Sequence, residues 1–153
     1  MSHAIPASIF RAYDIRGIYN ETLTDDSAYL IGRSIGSEVL AQGQDSIALA
    51  RDGRLSGPAL LQALSDGIRA TGCHVVNVGM VPTPALYFAS YNIEGLNSGV
   101  MLTGSHNPGN YNGFKIVING TTLSGDAIQA LRTRIEAGDF VNGEGGYWEQ
   151  EIL

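Results

Sequence analysis

A serine stands in the segment of the 153-residue sequence that is richest in groups able to do chemistry. Ser105 is the nucleophile of this segment, and Gly104 before it lets atoms of another molecule approach the backbone closely. The consecutive residues Ser105, His106 and Asn107 can offer their backbone N–H groups to an anion. Lys115 adds a compact positive charge where the next strand begins. Such a set suits the holding or transfer of a phosphoryl group, in which catalysis is mostly positioning and charge stabilisation.

Two other interpretations compete with a phosphate-binding loop. In the first, Ser-His-Asn-Pro is only a turn whose serine and asparagine cap their own backbone. In the second, the neighbouring serine and histidine belong to a serine hydrolase. The nucleophile elbow of that class requires glycine two residues before and after the serine, and Thr103 and Asn107 occupy those places. The sequence therefore argues against a hydrolase and leaves the turn and the phosphate loop open.

The segment from Thr103 to Gly113, here called the serine loop, must join two strands. The apolar run 99–102 leads into it, and the β-branched run 115–118 leaves it. The density of glycine, asparagine and proline in between can neither continue a strand nor start a long helix. Ligands of open α/β sheets bind outside strand ends, so the serine loop is predicted at a ligand-binding edge.

Helical and extended patterns alternate along the rest of the chain. Apolar residues recur at three- and four-residue steps after Thr24, after Pro58 and after the cap Ser124-Gly125-Asp126, and Pro82 begins a shorter helix. Short apolar runs predict strands at 46–50, 73–78, 99–102 and 114–118. This alternation predicts an α/β fold, a layered α/β/α domain with a mixed, largely parallel sheet. The two strands joined only by the serine loop are the expected antiparallel pair.

Composition narrows the class of protein. Hydrophobic residues make up 44% and charged residues 16% of the sequence, as in a globular domain. The net charge of −6 argues against nucleic acid and acidic membranes as partners. The N-terminal residues lack the pattern of a secretion signal, and no apolar run reaches membrane-spanning length. We expect a soluble, cytoplasmic protein whose single cysteine, Cys73, is a reduced thiol of the core.

The predicted domain ends near residue 140. Residues 1–140 hold every predicted helix and strand, whereas the glycine-rich run 142–146 is typical of a flexible connector. The apolar residues after this run have no predicted element to pack against. We therefore predict one domain over 1–140, followed over 141–153 by a linker and the start of a missing second domain.

Three motifs closely resemble those of the α-D-phosphohexomutases, and most of all the bacterial phosphomannomutase/phosphoglucomutase branch of that family. They are Thr-Gly-Ser-His-Asn-Pro followed by Tyr-Asn-Gly-Phe-Lys-Ile in 103–116, Phe-Arg-Ala-Tyr-Asp-Ile-Arg-Gly in 10–17, and Arg-Asp-Gly-Arg-Leu-Ser-Gly in 51–57. The resemblance runs from Ile9 to Phe140 and covers the first of the family's four domains. It implies an enzyme that interconverts hexose 1-phosphates and 6-phosphates through a phosphoserine and a bisphosphorylated sugar.

The resemblance also implies a role for each residue of the site. Ser105 is expected to carry the phosphoryl group and, through a phosphate oxygen, to contact Mg²⁺. Lys115 is expected either to assist proton transfer or to pair with phosphate, since a lysine acts as a base only where burial or nearby cations lower its pKa. His106 either contributes to the site or fixes the turn. The remaining substrate-binding and phosphate-binding residues that the family implies are Tyr13, Arg16 and Asn107.

The same resemblance limits what the chain is expected to do alone. The Asp-Gly-Asp-x-Asp-Arg loop that supplies the family's magnesium carboxylates does not occur in the sequence, so the isolated chain is expected to be inactive. The partners implied are hexose phosphates, glucose 1,6-bisphosphate as activator, and the remaining domains of the same polypeptide. A phosphoglucosamine mutase domain and a non-catalytic phosphate-binding fragment stay open as alternatives. Thr103-Gly104 favours the phosphomannomutase/phosphoglucomutase branch, because phosphoglucosamine mutases usually have Ser-Ala there, and Arg51 and Arg54 are interpreted as structural.

Overall fold

A computed structural model describes residues 9–10, 15–18, 23–51, 57–80, 98–103 and 111–149 of the chain. These residues form three helices and seven strands. The helices are α1 (Asp25–Ala41), α2 (Gly57–Arg69) and α3 (Asp126–Ala137). The strands are β1 (Ile15–Ile18), β2 (Ser46–Arg51), β3 (His74–Met80), β4 (Gly99–Thr103), β5 (Tyr111–Ile118), β6 (Thr121–Thr122) and β7 (Tyr147–Glu149).

The seven strands make one mixed sheet in the order β1-β5-β4-β2-β3-β7, with β6 paired to β5. Four neighbouring strands, β4, β2, β3 and β7, are parallel. Strand β5 runs antiparallel to its neighbours β1, β4 and β6. The predicted α/β class with a mixed sheet is confirmed, and the two strands that flank the serine loop are the predicted antiparallel pair.

The core lies between the sheet and the helices, and its largest buried side chains come from both. The strands contribute residues that alternate along each strand, so that one face of the sheet is apolar. Buried side chains of this face and of α1, α2 and α3 form one cluster that includes Ile47, Leu49, Val75, Leu102, Phe114, Ile31, Ile35, Leu64, Ile68 and Leu131. Ala48, Ala50, Met101 and Val117, which alternate with them, are buried as well. The sheet is therefore an internal layer of the molecule.

Helix α1 begins as its sequence predicts. Thr24 adopts an extended conformation at the N-cap, and its Oγ1 accepts a hydrogen bond of 3.1 Å from the backbone N–H of Ser27. Gly32 lies against α2, where a Cβ atom would meet the carbonyl oxygen of Leu64. The glycine therefore permits the close packing of α1 against α2.

The N-cap of α3 lies within the predicted cap Ser124-Gly125-Asp126, but no side chain takes part in it. The N-cap is Gly125, which has a φ of 50°, and no side chain forms a capping hydrogen bond there. Because glycine reaches positive φ without a steric penalty, the chain turns into the helix through backbone conformation rather than through the Ser124 hydroxyl. The helix ends at Gly138, which is left-handed with a φ of 66°.

The glycine-rich run 142–146 is packed, and its interpretation as a flexible connector is wrong. We call residues 141–149 the C-terminal strap. The backbone N–H of Gly143 donates to the carbonyl oxygen of Ala70 at 2.9 Å, and the backbone N–H of Gly145 donates to the carbonyl oxygen of Arg69 at 2.8 Å. A Cβ atom on Gly143 would lie 2.9 Å from the Cα of Gly72, so the glycines permit a close approach of two backbone segments. The strap then adds β7 to the sheet beside β3. The assignment of 141–153 to a second domain stays a prediction.

Two further expectations concern a short helix and membrane-spanning segments. The short helix predicted to begin at Pro82 lies outside them. Within them, no helix is both long and apolar enough to cross a lipid bilayer.

Candidate functional site

The predicted site lies where strands end next to the serine loop. Strands β4 and β5 extend into this loop, since Thr103 ends β4 and residues 111–113 begin β5, so the expectation that no part of 103–113 is a strand is wrong at both ends. Strands β2 and β3 end level with β4, because Arg51 pairs with Leu102 on one side and with Met80 on the other. The carboxyl ends of three parallel strands and the serine loop therefore share one edge of the sheet. Ligands of α/β sheets bind at such an edge.

A row of three paired residues crosses this edge. The Cα of Arg16 in β1 is the register partner of Gly113 in β5, and Gly113 is the register partner of Thr103 in β4. Neighbouring strands lie about 4.8 Å apart, so the backbones of Arg16 and Thr103 are separated by about 10 Å. Ser105 follows Thr103 by two residues. Two motifs that are distant in sequence are thus brought together by the pairing of β1, β5 and β4.

A row of apolar residues, one position along the same three strands, fixes the register of the row that holds Arg16. Ile15 pairs with Phe114, and Phe114 pairs with Leu102; all three are 0% exposed. Their side chains belong to the helix-facing core. Because side chains of a strand alternate between faces, burying this row fixes the register of the neighbouring row that holds Arg16.

The segment before β1 is held at its other end by helix α3. The side-chain amide of Gln129 donates a hydrogen bond of 3.0 Å to the carbonyl oxygen of Phe10. Phe10 is 5% exposed and forms an isolated antiparallel bridge with Ile15. Helix α3 and strand β5 therefore anchor the two ends of the motif that contains Tyr13, although Tyr13 itself lies outside the described residues.

Lys115 is the only lysine of the sequence, and the structure describes it fully. It pairs with Met101 of β4, two residues from the row that holds Gly113, and it is half-buried. Its neighbours in the strand, Phe114 and Ile116, are buried in the helix-facing core, so alternation places Lys115 on the opposite face of the sheet. The predicted cation is therefore present beside the strand end that leads into the serine loop.

The structure describes the predicted site residues unequally. It gives the whole of Lys115 and the backbone of Arg16, and it brings their two strands together. Arg51 is described through its backbone, at the end of β2. Tyr13, Ser105, His106, Asn107 and Arg54 lie outside the described residues, so their roles stay predictions. The apolar row was missed, although alternation in Val100–Leu102 and Phe114–Ile118 signals it.

A magnesium site is not complete within the described part of the chain. No three histidine, cysteine, aspartate or glutamate side chains come together there in a way that could hold a metal ion. Ser105, the ligand that the family resemblance implies, lies outside this part. The donor set of the described residues therefore does not fit Mg²⁺ by itself.

Cys73 is a core thiol and not a nucleophile of the site. It is free and buried, as predicted. Burial, and then the negative charge of Asp45, raise the pKa of its thiol from the ordinary 9.0 to about 12. The thiol is therefore protonated at neutral pH, when a cysteine nucleophile would need to be a thiolate.

Comparison with known proteins shows which family the chain belongs to. Residues 7–142 match the family model described as phosphoglucomutase/phosphomannomutase, alpha/beta/alpha domain I. The chain belongs to this family. It is 59% identical over 149 residues to a phosphomannomutase/phosphoglucomutase of Pseudomonas aeruginosa, an alignment that covers 97% of the chain and 32% of the relative. It is 53% identical over 150 residues to a phosphoglucomutase of Neisseria meningitidis, with 97% and 32% covered.

A solved structure agrees with this family assignment. The crystal structure of a phosphoglucomutase/phosphomannomutase family protein from Burkholderia thailandensis superposes with a TM-score of 0.93 at 51% sequence identity. The superposition covers 97% of the chain and 34% of that protein. The chain thus spans about a third of the length of the relatives that it matches, and it corresponds to their domain I.

Proposed function

We propose that the chain is the phosphoserine-bearing first domain of a phosphomannomutase/phosphoglucomutase, which interconverts hexose 1-phosphates and 6-phosphates. The observation that carries this proposal is the row of Arg16, Gly113 and Thr103 in a chain that belongs to domain I of that family. The row puts a predicted phosphate-binding arginine on the strand next to those that flank the serine loop. Lys115, in the same strand as Gly113, adds the second positive charge.

The proposed reaction consists of two transfers through Ser105. In the first, the phosphoryl group leaves the Oγ of Ser105 for a free hydroxyl of the hexose phosphate; the P–O bond to serine breaks, a P–O bond to the sugar forms, and the hydroxyl proton passes through a base to the Oγ of Ser105. In the second, the P–O bond between the sugar and its other phosphoryl group breaks, a P–O bond to Ser105 forms, and the serine hydroxyl proton passes back to the sugar oxygen that is released. After both transfers Ser105 again carries one phosphoryl group and the sugar carries one at a different position, so the net reaction is an isomerisation.

Positive charge near the transferred group is the contribution that the described residues can make. Phosphoryl transfer depends mainly on positioning and on stabilising charge on the phosphoryl oxygens. The ammonium group of Lys115 suits this role, and a guanidinium at Arg16 would add the bidentate hydrogen bonds that phosphate favours. These cations act locally, because the chain as a whole carries a net charge of −6.

We extend the proposal to the cofactors and the location. Mg²⁺ would be held through phosphorylated Ser105, with carboxylate ligands from another domain of the polypeptide, and would supply charge stabilisation when bound. Glucose 1,6-bisphosphate would act as an activator, because it can phosphorylate a Ser105 that has lost its phosphoryl group. A cytoplasmic location fits substrates that are charged sugar phosphates.

A chimaeric enzyme tests the proposal. The matching N-terminal residues of the Pseudomonas aeruginosa relative, which are 59% identical, would be replaced by this chain. We expect the chimaera to interconvert mannose 1- and 6-phosphate as well as the glucose pair, and Ser105→Ala to lower kcat by about a thousandfold or more. Ser124→Ala, at an exposed serine before α3, is the matched control and should leave kcat unchanged.

The same assay separates the alternatives. Turnover of glucosamine 1-phosphate in preference to both other sugars would replace the proposed activity with that of a phosphoglucosamine mutase. Activity that survives Ser105→Ala would show that the serine carries no phosphoryl group in the reaction. A folded chimaera that binds hexose phosphates and turns none of them over would favour a non-catalytic phosphate-binding domain.

A further inference from the structure

The C-terminal strap is held to the rest of the molecule by contacts along its whole length. Arg33 of α1 donates to the side-chain oxygen of Asn142 at 2.6 Å, and the backbone N–H of Val141 donates to the hydroxyl of Ser37 at 3.0 Å. Further along, Nε of Arg69 donates to the carbonyl oxygen of Gly145 at 3.1 Å. At its end, β7 pairs with β3 through Val75, Val76 and Asn77.

One further contact of the strap depends on the protonation state of a histidine. The backbone N–H of Gly146 donates a hydrogen bond of 2.8 Å to Nδ1 of His74, the first residue of β3. Nδ1 can accept only when the imidazole is neutral and its other proton sits on Nε2, because the imidazolium carries hydrogen on both nitrogens. Protonation of His74 therefore turns an acceptor into a donor that faces the donor N–H of Gly146.

The strap has little room to avoid this conflict. The carbonyl oxygen of Gly146 already accepts from the N–H of Val75 at 2.9 Å, so both backbone groups of this glycine bind the first two residues of β3. Gly145 lies so close to Cys73 that a Cβ atom there would meet the Cys73 carbonyl oxygen. A sideways shift of Gly146 would break the Val75 bond or press Gly145 into the start of β3.

We propose that His74 is a pH-sensitive latch, whose neutral imidazole holds Gly146 and thereby docks the C-terminal strap on the sheet. While the imidazole of His74 is neutral, the latch is closed. When it is protonated, the bond to Gly146 is lost and the strap opens from β3 more often. The latch is separate from the proposed phosphoryl chemistry, because it lies at the amino end of the parallel strands, opposite the edge that carries the serine loop.

The titratable and charged residues on the segments next to His74 are Asp45 before β2, Asp66 and Arg69 on α2, Cys73, and Glu144, Tyr147 and Glu149 on the strap. Four of these are carboxylates and one is a guanidinium. Cys73 stays a neutral thiol throughout, because its pKa is raised to about 12.

Nuclear magnetic resonance of the 153-residue chain tests the latch directly. We expect the ¹⁵N shifts of His74 near neutral pH to identify the Nε2–H tautomer with Nδ1 as an acceptor. Amide exchange of 143–149, corrected for the intrinsic effect of pH, should accelerate about tenfold when His74 becomes protonated, with the same midpoint as the protonation of His74 measured in the same spectra. The amides of α1 and α3 should show no such midpoint.

A substitution supplies the matched control. His74→Asn places a side-chain oxygen close to the position of Nδ1 and cannot be protonated in this range, so the strap should exchange at a rate independent of pH. His74→Phe removes the acceptor and should give fast exchange at every pH. The latch is refuted if the neutral tautomer has its proton on Nδ1, or if exchange of the wild-type strap does not follow the His74 titration. Equal pH dependence in His74→Asn would refute it as well.

Discussion

Lys115 is a predicted site residue whose side chain the structure describes, so the prediction and the structure can be compared there. The sequence predicted a cation at the start of the strand after the serine loop. The structure shows a half-buried lysine in the middle of that strand, paired with Met101, because β5 begins four residues earlier at Tyr111. Its two proposed roles differ in what they require. A phosphate partner needs only the charge, whereas a base needs a neutral amine.

Substitution of Lys115 in the chimaera distinguishes these roles. We expect Lys115→Met to lower kcat by about a hundredfold, because a charge beside the transferred phosphoryl group is lost. Lys115→Arg keeps the charge and should recover part of the rate with an unchanged pH profile if phosphate pairing dominates. Full activity of Lys115→Met would remove this residue from the site. Circular dichroism of each variant controls for folding.

Cys73 gives the stability of the chain a pH dependence whose sign follows from its burial. Its pKa is about 12 in the folded chain and near the ordinary 9.0 when unfolded. The contribution of the thiol to stability is therefore complete below about pH 9 and is lost as the pH rises towards 12, by up to about 1.4 kcal/mol per pH unit. Urea unfolding of the wild type and Cys73→Ala should converge over this range. A constant difference between the two curves would contradict this assignment.

The relative positions of the site residues were harder to predict from individual residues, for a physical reason. Ser105 and Lys115 stand out because nucleophiles and cations are visible in the sequence. That Arg16 is in line with Gly113 of the next strand and with Thr103 of the strand beyond depends on register, which is set by the burial of Ile15, Phe114 and Leu102 together. Such a long-range agreement between apolar residues cannot be derived from any one segment.

Elements with many periodic residues were predictable, and short ones were not. Helices α1, α2 and α3 and strands β2, β4 and β5 appear where their apolar patterns predicted them. Strands β6 and β7 have two and three residues, too few for a periodic signal. The strap was misread because glycines that allow close backbone packing look in the sequence like glycines that allow flexibility.

The close packing of the strap can be tested at Gly145. A Cβ atom at this position would collide with the backbone carbonyl of Cys73, which cannot move without disturbing β3. We expect Gly145→Ala to lower the free energy of unfolding by about 2 kcal/mol and to speed amide exchange in 143–149. Glu144→Ala, at an exposed neighbour, is the control and should change stability by less than about 0.5 kcal/mol. Equal effects of the two substitutions would contradict the packed strap.

At the scale of the whole molecule, the chain corresponds to about a third of its relatives. Its described residues do not bring together a set of metal ligands. Since a metal is worth several kcal/mol of transition-state stabilisation, we expect the isolated chain to turn over glucose 1-phosphate at least about a thousandfold more slowly than the chimaera. The measurement is a coupled assay with Mg²⁺ and glucose 1,6-bisphosphate. Turnover by the chain at the rate of the chimaera would contradict its assignment as one domain of a larger enzyme.

The central claim is that Ser105 carries the phosphoryl group, and peptide mapping tests it most directly. Trypsin cleaves after Arg69 and after Lys115, and no lysine or arginine lies between them, so Ser105 falls in a single peptide. After incubation of the chimaera with glucose 1,6-bisphosphate and Mg²⁺, fragmentation of this peptide should place one phosphoryl group on Ser105, and Ser105→Ala should carry none. An unmodified Ser105 in a chimaera that is turning over substrate, or a phosphoryl group on another residue, would contradict the claim.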